Sequence, residues 1–217
     1  MKRTIVYIDG YNLYYGLIKG TKDKWLDLLS LSKALLNSEH EIVEVKYFTA
    51  PIKTFPFDAA ATERQNVYLQ ALSTLPNLKV FLGFYSKNPT LLPAQSERCR
   101  VCEASKDGLV RVYKLEEKRS DVNLAVEALV DAAHDRADSF VLVTGDSDQV
   151  GTVEALRKQF NRQVLVFNPH KAESRHLKLV ANYYRNIQRD LPAKCHLPNF
   201  IPIGSKGRFI TCPETWR

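Results

Sequence analysis

Long hydrophobic runs are missing from this 217-residue chain: nothing approaches the roughly 20 consecutive apolar residues of a membrane-crossing helix. The early run Thr4–Ile8 is short and stops at Asp9, so no secretory leader is expected and the cytosol is the expected compartment. Cysteine is scarce. Four thiols in that compartment are expected to be reduced or to bind metal, which sets aside a disulfide framework. Neither GxGxxG nor GxxxxGKS/T occurs, which removes a Gly-rich phosphate cradle. Internal repeats and low-complexity tracts are absent as well.

What is present suits one α/β domain, or one domain with an appendage. Hydrophobic residues make up 45 %, ample for a core, and Lys+Arg outnumber Asp+Glu 31 to 24. The net charge of +7 and a pI near 9.2 point to a polyanionic partner, most simply nucleic acid, while a merely solvated basic surface is an equal alternative, because +7 is modest for this length.

Apolar strands alternate with helical stretches. Thr4–Ile8, Ile42–Thr49, Leu78–Tyr85, Ser139–Thr144 and Gln163–Phe167 read as strands. Helices are predicted around Leu13–Ile18, behind Ser30 or Ser32 as N-cap, and over Asp58–Leu75 with Asp58 as cap. Further helices are predicted at Asp121–His134, Gln149–Phe160 and Glu173–Val180. Residues 86–117, with Pro89, Pro93, Cys99, Cys102 and the turn Lys106–Gly108, read as an insertion whose Leu109–Leu115 is the second strand of a hairpin. The domain is expected over 1–188, and the proline-rich 189–217 as an irregular tail laid on it. The alternation predicts a mostly parallel sheet with helices on both faces, in which ligands sit at the carboxyl ends of strands.

Acids fall at those ends. "VYIDG" stops at Asp9, "VLVTGDSD" at Asp146 and Asp148, and Asp121 opens the helix of "KRSDVNLAVEAL". Each has an ordinary reading: Asp9 and Asn12 as turn residues, Asp121 at a positive helix end, Asp148 as a cap. Independent turn acids, however, have no reason to end both long apolar strands. Carboxylates gathered on one edge repel unless a cation neutralises them, and oxygen ligands with few histidines suit Mg²⁺ or Mn²⁺ better than Zn²⁺. Such a site on a basic protein points to phosphodiester hydrolysis. Tyr11, Tyr14 and Tyr15 read either as packing for the first helix or as a surface on which bases stack.

Three motifs in order, "YIDGYNLYYG", "EKRSDVNLAVEAL" and "LVTGDSDQVGTVEAL", with the ending "CHLPNFIPIGSKGRFITCPETW", resemble the NYN-domain family of PIN-like proteins, in its LabA-like bacterial group. The resemblance spans roughly residues 3–188 and implies a PIN-like Rossmannoid fold, a divalent metal site and ribonuclease activity. Carried over by motif, Asp9, Asp121, Asp146 and Asp148 are metal-site residues and Asn12 positions Asp9 or a phosphate oxygen. Lys118 is a candidate contact to substrate phosphate. The chain departs from the family pattern at Gln149-Val150, where an aromatic is common, and at Glu127, where an Asp is. Glu127 follows Asp121 by six residues, about 120° away around a helix, and is not counted as a ligand.

Other readings compete. A non-catalytic RNA-binding or regulatory module would keep the same acids. A haloacid-dehalogenase-type phosphatase needs a second Asp where Tyr11 stands. Cys99 and Cys102 form half of a structural zinc signature, for which Cys195, His196 and Cys212 are the available complement. The expected partner is RNA and no membrane; a homodimer is left open.

Overall fold

The computed structural model describes residues 1–52, 59–93, 109–204 and 207–217. β1 (Lys2–Asp9) runs into α1 (Gly10–Leu13), a π turn, α2 (Leu28–Leu35) and β2 (His40–Thr49). Then come α3 (Ala61–Leu72), β3 (Leu78–Leu82), β4 (Phe84–Pro93) and β5 (Leu109–Lys118). α4 (Ser120–Ala133), β6 (Ser139–Val143), α5 (Val150–Lys158), β7 (Gln163–Asn168), α6 (Arg175–Val180) and β8 (Tyr183–Asn186) follow. The chain closes with β9 (Phe200–Ile203) and β10 (Arg208–Thr211).

Six strands form one wholly parallel sheet in the order β3-β2-β1-β6-β7-β8. The continuous apolar runs follow from burial on both faces. Val6, Ile8, Val141 and Val143 pack on one side with Leu28, Leu31 and Trp25. Ile5, Tyr7, Phe140 and Leu142 pack on the other with Leu124, Val153 and Leu156. From β1 the chain winds toward β2 and β3, and from β6 toward β7 and β8. The winding therefore reverses between β1 and β6, and the carboxyl ends of these two strands open a crevice of the kind that receives ligands.

Several sequence expectations are corrected. The strand expected over Leu78–Tyr85 is broken at Gly83: β3 belongs to the sheet, while β4 leaves it to pair antiparallel with β5. A Cβ at Gly83 would collide with the Lys118 carbonyl and lie 2.8 Å from Ser120 Oγ, so this crossing requires glycine. The predicted insertion is thus a hairpin whose stem starts at Phe84 and ends at Lys118, wider than 86–117. The third helix spans Ala61–Leu72, shorter than expected, and the proposed cap Asp58 lies outside the described residues. β8 was not anticipated, and part of the expected irregular tail is the β9–β10 hairpin.

The cap of α2 is Asp27, not Ser30 or Ser32: its Oδ1 accepts the Leu29 and Ser30 amides, both at 2.9 Å. Asp27 also donates its own amide to the Cys195 carbonyl at 2.7 Å, tying the helix to the last segment of the chain. Asp27→Ala is expected to cost about 1 kcal/mol, a fall in Tm of roughly 2–4 °C read by thermal denaturation. Trp216 packs near Trp25 and Tyr68, with ring centroids 6.5 and 6.2 Å away. Cys195 and Cys212 are buried free thiols and His196 bonds Asp23, so they do not gather as a zinc set; Cys99 and Cys102 lie outside the described residues.

Candidate active site

β1 and β6 deliver Asp9 and Thr144 side by side, one step beyond the pair Ile8–Val143. Asp9 is 1 % exposed and its carboxylate is held by three donors. Oδ1 accepts the Asn12 amide at 2.9 Å, while Oδ2 accepts Asn12 Nδ2 at 2.6 Å and Thr144 Oγ1 at 2.9 Å. A carboxylate has about four acceptor positions, so one remains. Gly10 follows because a Cβ there would sit 2.6 Å from the Phe48 carbonyl oxygen.

Asn12 is the hub. With its amide nitrogen committed to Asp9, its Oδ1 faces the other way and accepts from the Gly145 amide (3.2 Å) and from His170 Nε2 (2.9 Å). The proton of His170 therefore resides on Nε2. Burial, with Arg189 nearby, lowers the His170 pKa below 6.5, which keeps the ring neutral near pH 7. Gly145 permits this approach: a Cβ would meet Asn168 Oδ1 and come within 2.8 Å of the His170 ring.

Asp146 caps the turn after β6, its Oδ1 accepting the Asp148 amide at 3.0 Å. Asp121 stands in the first turn of α4, whose start is bonded to that same turn by Gln149 Nε2 donating to the Asp121 carbonyl at 3.2 Å. Arg119, at φ 81°, turns the chain sharply from β5 into α4 and leaves Glu117 beside Ser120, whose hydroxyl bonds it. Glu117, Asp121, Asp146, Asn12 and His170 share the lining of one cavity of about 650 Å³. Tyr11, Tyr15 and Tyr85 form its aromatic side.

The electrostatics are those of crowded acids in reduced water. Burial pushes Asp9 up to about 7, with the charges of Asp121 and Glu117 adding to it against the bonds from Asn12 and Thr144. Glu117 is raised by burial and by Asp121; Asp121 is raised by burial and by Asp146 and Asp148. Among the described residues, none of Asp9, Glu117, Asp121 and Asp146 forms an ion pair.

Of the residues expected from sequence, Asp9, Asn12, Asp121 and Asp146 meet at this one edge. Asp148 is exposed and does not line the cavity. Lys118 is exposed too and does not itself line the cavity, but it pairs at 2.8 Å with Glu116, which does. Glu127 turns away to Lys46, at 2.6 Å. Glu117 and His170 were missed. His170 was within reach of the strand-end rule, since it follows β7 by two residues; Glu117 opens the central motif but was assigned no role there, and it became visible once β5 was seen to run beyond Leu115.

Tyr11, Tyr14 and Tyr15, undecided in the sequence, are 45, 39 and 47 % exposed and lie outside the core. Among the described residues no helix is long and apolar enough to cross a membrane.

Known proteins bear on this arrangement in three ways. The family model of the NYN domain matches residues 3–188, which is β1 through β8. A Pseudomonas putida protein, 6-hydroxy-3-succinoylpyridine 3-monooxygenase HspA, is 32 % identical over 243 aligned residues, spanning 99 % of this chain and 75 % of that one. A crystal structure of a Vibrio parahaemolyticus protein of unknown function superposes with a TM-score of 0.52 at 21 % identity, covering 87 % of this chain and 95 % of its own, and fits the same PIN-like fold. With the matched span holding the whole parallel sheet and its acid-lined edge, this chain belongs to the NYN domain family, whose fold is nuclease-like.

Proposed function

We propose that the protein is a divalent-metal-dependent ribonuclease that hydrolyses phosphodiester bonds of single-stranded RNA. The observation that carries this reading is the meeting of Glu117, Asp121 and Asp146 on one cavity, with Asp9 buried behind them and no ion-pair partner for any of the four among the described residues.

The donor chemistry fits Mg²⁺ or Mn²⁺: hard oxygens, mutually repelling and partly desolvated. Among the described residues no three acidic, His or Cys side chains converge as a finished cage. That suits a cation that keeps several of its waters and takes one or two carboxylates directly. Of Asp121, Asp146, Glu117 and Asp9, one or two would hold it directly and the others through its waters. When bound, the ion supplies charge for the phosphate oxygens and eases ionisation of the attacking water.

The chain's own residues prepare for this. Asn12 and Thr144 fix the carboxylate of Asp9, and neutral His170 fixes Asn12 without adding a positive charge that would compete with a cation. Asp148 adds negative charge near Asp121. The acids repel a bare phosphate, so a phosphodiester enters this cavity together with a cation.

The test is cleavage of an end-labelled single-stranded RNA with millimolar Mg²⁺ or Mn²⁺. Cleavage should be abolished by EDTA and restored by excess metal. RNA that is bound but left intact would identify a non-catalytic RNA-binding module instead.

A second reading, oxygenation of a small pyridine acid, is favoured by one observation, the 32 % identity to HspA. Incubation with 6-hydroxy-3-succinoylpyridine, dioxygen and a reduced nicotinamide or flavin cofactor separates the two. Under the nuclease reading the pyridine absorbance stays constant.

A further inference from the structure

A second cavity, of about 510 Å³, adjoins the acidic one, and both are lined by Tyr11, Tyr15, Tyr85 and Glu117. Its chemistry is different. Tyr14, Tyr47, Tyr68 and Trp216 add aromatic wall, and three cations, Lys19, Lys24 and Arg64, stand around it. The metal-site reading uses none of these side chains.

We propose that this cavity is a subsite for one unstacked base of the RNA strand, next to the phosphate held at the acids. The inference rests on the nuclease reading and adds how the substrate is gripped. Crossing from one cavity to the other, the lining changes from carboxylates through tyrosines to cations. A single strand presents the matching succession: a phosphate with its metal, a base, and the next phosphate.

The tyrosines suit stacking. Tyr11 and Tyr15 lie with centroids 4.4 Å apart and rings tilted by 35°, and Tyr14 meets Tyr15 edge-on at 5.2 Å. Lys19 Nζ lies 4.6 Å from the Tyr15 ring centre, placing positive charge where stacking and backbone contacts meet. Three partly exposed aromatics in five consecutive residues, opening into a cavity, leave apolar surface that a flat ligand would cover. A base reaches such a cavity only by leaving its stack, which is cheapest for an unpaired strand and selects against duplex.

The experiment uses the full chain with Ca²⁺ in place of Mg²⁺ or Mn²⁺, and binding is read over a time in which the RNA is verified to stay intact. The probe is a short RNA carrying one 2-aminopurine, whose fluorescence reports stacking, beside the same RNA abasic at that position. A stacking-dependent change is expected with wild-type protein, with affinity about tenfold or more weaker for the abasic strand and for Tyr15→Ala. Lys24→Glu should weaken both strands alike. The abasic comparison needs no variant, so a misfolded Tyr15→Ala would not obscure the answer. Equal affinity for the two strands with no fluorescence change overturns the subsite. Displacement of a cavity-bound probe by nicotinate but not by uridine monophosphate overturns it too, in favour of a free aromatic acid. Base-dependent binding without Mn²⁺-dependent cleavage would sink the nuclease reading alone, and cleavage indifferent to the abasic site would sink the subsite alone.

Discussion

Asp9→Asn is expected to reduce Mg²⁺- or Mn²⁺-dependent RNA cleavage by about 100-fold or more without destabilising the fold in EDTA, and Asp146→Asn to reduce cleavage comparably. The loss follows from the energy a cation contributes at a phosphoryl centre, several kcal/mol, with each 1.36 kcal/mol worth a factor of ten. The stability half follows from burial. Asp9 is raised from 3.8 to about 7, chiefly because its charged form is desolvated. A carboxyl with a raised folded-state pKa stabilises the fold while protonated. That contribution is complete below pH 3.8 and is lost as pH rises toward 7. Above that window wild-type protein without metal carries an uncompensated buried charge, which asparagine removes.

At pH 8 in EDTA the Asp9→Asn variant should therefore melt no lower than wild type. Mn²⁺ should raise the wild-type Tm and raise the variant's distinctly less, since ligand that binds only the folded state stabilises it by mass action. A clear drop in Tm for the variant in EDTA would make Asp9 a structural cap of α1. Undiminished cleavage would dismiss the metal site.

Part of this site was legible before any coordinates. Thr4–Ile8 and Ser139–Thr144 are apolar without alternation, the mark of strands covered on both faces, and each stops at an acid. Two such strands in one parallel sheet put Asp9 and Asp146 on a common edge whatever their order. That β1 and β6 are adjacent was not legible, because adjacency depends on pairings more than a hundred residues apart, and it is adjacency that lets Thr144 bond Asp9.

Other features failed for local reasons. "LKVFLGFY" has the pattern of one strand, and Gly83 breaks it through contacts with Lys118 and Ser120 that no short window contains. Asp27 competed with two nearby serines for the cap of α2, and the chain's ordinary propensities do not rank them. Glu117 sits where a hairpin stem turns at positive φ into α4, a conformation not announced by arginine. His170 was a lone histidine, and its meaning comes from Asn12 across the crevice.

Lys46→Met is expected to destabilise the protein by about 3–5 kcal/mol, a fall in Tm of roughly 10 °C, the largest stability effect predicted for any single position. Lys46 rises from β2 into the interior, 1 % exposed. Its ammonium lies 2.6 Å from Asp131, 2.6 Å from Glu127 and 3.7 Å from Glu44. Asp131, itself 1 % exposed, also accepts Tyr7 Oη at 2.6 Å and Arg136 at 2.8 Å. The rings of Phe81 and Tyr7 stand 5.5 and 5.9 Å from the ammonium. Methionine keeps the length of the side chain, so its effect isolates the charge. What it removes is the buried cation shared by Asp131, Glu44 and Glu127, with Arg136 left to pair with the first two, and buried acids short of a partner cost far more than the intact network contributes. Asp131→Asn keeps one acceptor oxygen, for Arg136, but sets an amide donor where Tyr7 and Lys46 now donate, so it should also destabilise. The double variant should then cost less than the sum of the two, by a coupling on the order of 1–3 kcal/mol. Additive losses in chemical denaturation would show that the two charges do not depend on each other. The contrast with the acid-lined edge lies within one strand. β1 carries Tyr7 into a cluster whose acids are matched by Lys46 and Arg136. Two residues later, on the same face, it carries Asp9 into a cluster where, among the described residues, Asp9, Glu117, Asp121 and Asp146 form no ion pair. The first arrangement is complete within the chain, and under the proposed function a bound cation would complete the second.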